Sequence, residues 1–181
     1  MSYAAQNGAD VINISLRGGR NSATLQSAIA AASQTAVVVS SAGNDRDDAP
    51  VYPAAYDTTL SVTGTNRDGT KHEAANHGSW VDVSAPGRNI LTTIVGGGYR
   101  PQSGTSLATP FVSGLAGLLR SQHPEWSPAT VRARIINTAD DIDALNPGLE
   151  GQMGSGRINA ARALTAAGPH LGRENDGIGA P

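Results

Sequence analysis

Ser106 sits in Gly104-Thr105-Ser106-Leu107-Ala108-Thr109-Pro110, where a glycine turn hands the chain to a long apolar stretch rich in small residues. A hydroxyl at a helix start lies in the positive end of the macrodipole, beside backbone N–H groups that have no partner within the helix. Those donors can hold a developing oxyanion, so the address suits a nucleophile for acyl transfer. Serine is also a favoured helix N-cap, and the residue type alone leaves both readings open. A second candidate, Asn44, closes Ser41-Ala42-Gly43-Asn44 behind a β-branched run. Its carboxamide can donate to an oxyanion, and the glycine before it permits close approach. Asparagine in Gly-Asn-Asp is equally ordinary turn chemistry.

Both groups depend on the elements beneath them. Behind Ser106, residues Ala108, Phe111, Val112, Leu115, Leu118 and Leu119 recur at helical spacing, with Ser113, Gly114 and Gly117 among them. The pattern leaves no wet face and predicts a helix buried on all sides. Residues 1–7 read as the last turns of a helix ending at Gly8, and residues 11–15 and 35–41 as buried strands flanking a helix over 24–32. Strand, helix, strand in about thirty residues is a right-handed βαβ unit, so the sheet is mostly parallel and flanked by helices, an α/β architecture. Further strands are expected at 59–63 and 80–84 around a polar loop at 64–78, then a hairpin from 90–93 and 98–103. Ser127-Pro128 opens another helix and residues 159–166 form a short one. Residues 1–167 form one domain, and 168–181 read as a flexible tail. In such sheets ligands gather beyond the carboxyl ends of the strands, so residues 15–18 and 41–44 should face one crevice.

Composition excludes several classes. Of 181 residues 15% are charged and the net charge is −2, which gives no basic footprint for nucleic acid. There is no cysteine, hence no disulfide, thiolate metal site or cysteine nucleophile. No run approaches the roughly 20 apolar residues of a membrane span, and residues 1–7 lack the features of a signal peptide.

In order and spacing these segments resemble the subtilisin-like serine proteases (subtilases, peptidase S8). The resemblance rests on residues 8–16, Ser41-Ala42-Gly43-Asn44, Tyr52-Pro53-Ala54-Ala55-Tyr56, residues 80–87 and the heptapeptide at 104–110. It implies a three-layer α/β/α fold lacking its N-terminal strands. It also implies Ser106 as nucleophile, Asn44 as oxyanion donor, and Ser15, Leu16, Ala42 and Gly43 as substrate-binding residues for a polypeptide. No cofactor and no catalytic metal are implied, although carbonyls at Ala54, Tyr56 and Thr59 resemble a weak structural site for calcium or a monovalent cation. In the family the aspartate and histidine that complete the triad precede the segment matched by residues 8–16, in motifs this sequence lacks. The resemblance therefore implies the C-terminal part of a catalytic domain, with an N-terminal segment as partner and export favoured for the parent protein. The alternative is a catalytically inert fragment or a peptide-binding remnant.

The four histidines read as surface residues. His123 ends the nucleophile helix about 20 Å or more from Ser106, His170 lies in the tail, and only His72 or His77 could approach the crevice. Arg17 stands where the family usually has glycine, and Phe111 where histidine is common; an apolar residue there should pack. Asp45, Asp47 and Asp48 read as a solvated loop. Without preceding strands, residues 11–15 become a sheet edge that invites self-association.

Overall fold

The structure is a computed structural model of the chain, and it describes residues 1–16 and 20–166. Arg17, Gly18, His170 and the expected tail at 168–181 lie outside the described residues. A short helix, α1 (Ser2–Gln6), ends before Gly8, whose φ of 81° suits glycine at this stop. The sheet is built from β1 (Val11–Ile14), β2 (Val37–Ser41), β3 (Leu60–Thr65) and β4 (Val83–Pro86), in the order β1-β2-β3-β4. Every pairing in it is parallel, with Val11 opposite Val37, Val39 opposite Leu60 and Val62 opposite Val83.

Two apolar layers follow from the period-2 alternation of these runs. Val37, Val39, Leu60, Val62, Val83 and Ala85 point into one core. That core is closed by α3 (Thr105–Gln122), α4 (Pro128–Asn137) and α5 (Ala160–Thr165), through Val112, Leu119, Val131, Ile135 and Ala163. Val38 turns to the opposite face, where it packs with Ile29 and Ala32 of α2 (Ala23–Ala32) and with Tyr56. Side-chain caps start three helices: Ser22 Oγ accepts from Leu25 N, Ser127 Oγ from Thr130 N, and Asn159 Oδ1 from Arg162 N. A separate antiparallel hairpin, β5 (Ile90–Thr93) and β6 (Tyr99–Gln102), leads into α3.

Two expectations are corrected. The fourth strand begins at Val83, because Trp80 closes a turn and residues 81–82 make other bonds before the ladder starts. Val81 N donates to Gly78 O at 3.0 Å and Trp80 Nε1 to Asp48 O at 2.8 Å, while Asp82 spends its carboxylate on Ser61 N. The second correction concerns α3, which is not buried on all sides. Thr105, Ala108, Thr109, Val112, Leu115, Ala116 and Leu119 are buried, yet Phe111 is 45% and Leu118 55% exposed. Phe111 does not pack as expected, because α3 rests on the sheet by one stripe only. Added Cβ atoms at Gly114 and Gly117 would meet open space. β1 forms one edge of the sheet, pinned at its start by an Arg120–Asp10 ion pair of 2.7 Å. Among the described residues no helix is long and apolar enough to cross a membrane.

Candidate active site

The carboxyl ends of β1 and β2 and the amino end of α3 meet at one place. Ser106 is the second residue of α3 and is half-buried; its Oγ donates to the Ser15 carbonyl at 3.2 Å. Ser15 Oγ donates back to the Ser106 carbonyl at 3.0 Å. Pro110 explains why that carbonyl is available. Proline has no N–H, so the helix bond from residue 110 to the oxygen of residue 106 cannot form. Ser15 fills the gap, and one reciprocal pair ties strand tip to helix start across 91 positions of sequence.

Asn44 lies at the same helix end. Its Oδ1 accepts from Thr105 N at 2.9 Å, satisfying one of the four orphan donors of α3. Because that partner is a donor, the carboxamide oxygen must face it. The Nδ2 group is thereby left to donate elsewhere, and it makes no hydrogen bond among the described residues. Gly104 makes this contact possible, since at its φ of 145° an added Cβ would lie 3.3 Å from Asn44 Nδ2. The Ser106 backbone N–H belongs to the first helical turn, where no carbonyl within the helix can accept from it. One hydroxyl and two donors without a partner among the described residues thus share one helix start beside the strand tips.

The other sequence-selected residues divide into two kinds. Leu16 is 72% exposed just past the open edge of β1, and Ser15 is half-buried beside it. Ala42 and Gly43 are buried, and their backbone groups are committed. Ala42 N donates to Val62 O and Gly43 N to Thr105 Oγ1, while Asn76 holds both their carbonyls. They can wall a substrate but cannot pair with its backbone. Asn76 is a residue that sequence reasoning missed: it is fully buried in the segment before Trp80, where composition reads as solvated loop. A signal available was the glycine at position 43, where an added Cβ would lie 2.7 Å from Asn76 Nδ2.

A scan against protein families matches the Subtilase family model over residues 1–156. The chain belongs to the subtilase family. This subtilase chain is 42% identical over 165 residues to Thermitase from Thermoactinomyces vulgaris, covering 91% of the chain and 57% of that protein. It is 35% identical over 164 residues to Subtilisin BL from Lederbergia lenta, covering 90% and 59%. Among solved structures, a protease from Pseudoalteromonas arctica superposes with a TM-score of 0.79 at 34% identity, over 88% of this chain and 51% of that one. The patellamide maturation protease PatA gives a TM-score of 0.80 at 32% identity, over 90% and 64%. The chain thus spans somewhat more than half the length of the curated relatives named here.

The family is one of serine proteases, and a serine hydroxyl needs a base. Among the described residues no histidine is hydrogen-bonded to Ser106. His72 is not the surface residue expected of it: it is 5% exposed, and its Nδ1 accepts from Ala74 N at 3.1 Å. Burial, with Arg88 and Lys71 nearby, holds its imidazole below the usual histidine range despite Glu73. His77 is also held low, by burial and by Lys71, against the opposing pull of Asp48 and Asp47. Both are therefore neutral near pH 7, and neither is hydrogen-bonded to Ser106. His123 stacks on Trp126 with ring centroids 3.9 Å apart. It lies 17 positions along α3 from Ser106, about 25 Å at 1.5 Å rise per residue. A cavity of about 240 Å³ lined by Ser33, Val37, Thr58, Ala129 and Arg132 sits at the amino end of β2, the end away from Asn44.

Proposed function

We propose that this chain supplies the nucleophile and oxyanion hole of a serine endopeptidase that cleaves polypeptides through an acyl-enzyme. The aspartate and histidine of the triad come from an N-terminal segment outside the chain. The observation that carries this reading is that Ser106 Oγ, the Ser106 backbone N–H and the Nδ2 of Asn44, which has no partner among the described residues, all stand at one helix start.

An extended peptide pairs with the main chain at Ser15 and Leu16, just past the carboxyl end of β1, with Ala42 and Gly43 as a wall. Ser106 Oγ leaves the Ser15 carbonyl and bonds to the scissile carbon while its proton passes to the imidazole of the segment. The carbonyl π electrons move onto oxygen, and Asn44 Nδ2 and the Ser106 N–H donate to the oxyanion formed. Collapse breaks the C–N bond and the amine leaves with the imidazolium proton. Water then attacks the ester by the same route and frees Ser106.

The reaction needs no cofactor. The carbonyls of the buried residues Ala54, Tyr56 and Thr59 would hold a structural calcium or monovalent cation, that of Tyr56 through its second lone pair, since it also accepts from Thr59 N at 2.8 Å. One observation fits that group: Thr59 Oγ1 is buried without a hydrogen-bond partner among the described residues, and is a hard oxygen donor. The family also favours export of the parent protein.

By itself the chain follows a second reading, binding extended peptides without turning them over. Its nucleophile rests on the Ser15 carbonyl, not on a base. Triad loss in this kind of enzyme costs roughly 10⁶ in rate and leaves about 10³–10⁴ over water. Labelling by a fluorophosphonate separates the two states. Ser106 should react fast once an Asp- and His-bearing subtilase N-terminal segment is added, and near background without it. An unlabelled Ser106 in the presence of that segment would overturn the proposal.

A further inference from the structure

We propose that Asn76 is a positioning residue for Asn44, a clamp that aims the oxyanion donor without touching it; the catalytic part of this inference rests on the role given to Asn44 above. Asn76 has no exposed surface. Its Nδ2 donates to Ala42 O at 3.0 Å, and its Oδ1 accepts from Asp45 N at 2.7 Å and from Asp47 N at 3.2 Å. Its backbone N donates to Gly43 O at 3.0 Å, and its backbone carbonyl accepts from Thr63 Oγ1 of β3. Four residues around Asn44, two before it and two after it, are therefore fastened to one buried side chain and its own backbone.

The fastening falls where the ladder stops. β2 ends at Ser41 and its last bond to β3 is Ala42 N to Val62 O, so the residues beyond it that carry Asn44 are not fixed by the sheet ladder. Only a carboxamide meets all the demands. It offers a donor toward the Ala42 carbonyl and an acceptor with two lone pairs toward the two N–H groups. An aspartate would set a carboxylate oxygen against the Ala42 carbonyl, and a serine is too short to span the loop. Gly43 is matched to this arrangement, since a Cβ there would lie 2.7 Å from Asn76 Nδ2. Thr105 closes the other side: its Oγ1 accepts from Gly43 N, and its own N–H donates to Asn44 Oδ1. Asn44 is thus held at both ends, by the clamp on its backbone and by one hydrogen bond on its side chain.

That last bond gives a direct readout on the 181-residue chain as it stands. Amide hydrogen exchange at Thr105 reports whether Asn44 is in place, while exchange at Ile135 reports the core. Asn76→Asp, and Asn76→Ser as a second variant, should lower protection at Thr105 by about tenfold or more relative to any change at Ile135, a loss matched by Asn44→Ala. Protection at Thr105 that falls only in step with Ile135 would overturn the clamp. A second arm uses the chain supplied with the Asp- and His-bearing segment and reads the rate of Ser106 acylation. Asn76→Asp should slow it between about tenfold and a hundredfold, the scale set by misaiming a reacting group, and should slow it no further once Asn44 is alanine. Equal slowing in both backgrounds would mean a merely structural role and overturn the inference. If Asn44→Ala itself leaves the rate unchanged, the oxyanion reading fails, and the exchange arm still judges the clamp.

Discussion

Replacing Gly43 by alanine tests the packing that holds the candidate oxyanion donor. At a φ of 99° the new residue sits in the left-handed region, at about 1–2 kcal/mol for an L side chain. Its methyl also lands 2.7 Å from Asn76 Nδ2, and the next atom in the way is Asn76 Cγ at 3.4 Å. The clamp is buried, so it must shift as a body, weakening three side-chain hydrogen bonds at about 1 kcal/mol each. The sum is about 4–5 kcal/mol, a large part of the 5–15 kcal/mol typical of a domain. Gly148→Ala supplies the control: its φ is 84°, but nothing lies within 4 Å of the added carbon, so only the backbone cost of about 1–2 kcal/mol remains. Urea unfolding of both variants, with the slope m unchanged, gives the two losses. A Gly43→Ala loss no greater than that of Gly148→Ala would refute the steric argument.

Other expectations follow from single observations. Ser15→Ala strands the Ser106 carbonyl and should cost about 1–2 kcal/mol, whereas Ser15→Ala with Pro110→Ala should cost less than the sum of the two, because residue 110 regains an N–H for that oxygen. His72 and His77 both have folded pKa values pushed below their unfolded value of about 6.5, so the unfolded chain binds more protons. Stability is then full above about pH 6.5 and declines as the pH falls toward the folded values; His72→Gln should flatten that decline in urea midpoints taken between pH 7 and pH 5. The open edge of β1 and the exposed Phe111 and Leu118 should make the isolated chain self-associate, and Phe111→Glu with Leu118→Glu should reduce the mass seen by light scattering. A monodisperse wild-type monomer would contradict this. Asn44→Ala in the chain supplied with its segment should slow Ser106 acylation by about 10²–10³, the size found when subtilisin loses its asparagine donor.

The elements were legible because their signals are local. The run Val37-Val38-Val39 with its turn residues fixes a buried strand, and Ser127-Pro128 and Asn159 mark helix starts through chemistry contained in a few neighbouring residues. The seven residues around Ser106 and the Ala-Gly-Asn tip were also visible. What was not visible depends on partners far away in sequence. Asn76 is an asparagine in a polar stretch, and its burial follows from three main-chain groups about 30 residues upstream. Ser15 pairs with Ser106 through a carbonyl freed by Pro110, a consequence that only the assembled fold displays. The pattern of α3 misled in the opposite direction. Phe111 and Leu118 carry the hydrophobicity of a helix covered on both sides, and among the described residues only one side is covered.

The central claim is that Ser106, its own N–H and Asn44 Nδ2 surround a single reacting carbonyl. It is tested most directly by a crystal structure of the chain with its Asp- and His-bearing segment and a peptidyl boronic acid. The account predicts boron bonded to Ser106 Oγ, with one boronate oxygen about 2.7–3.1 Å from both Asn44 Nδ2 and the Ser106 backbone nitrogen. Boron on another residue, or a boronate oxygen turned away from Asn44 toward solvent, would contradict it.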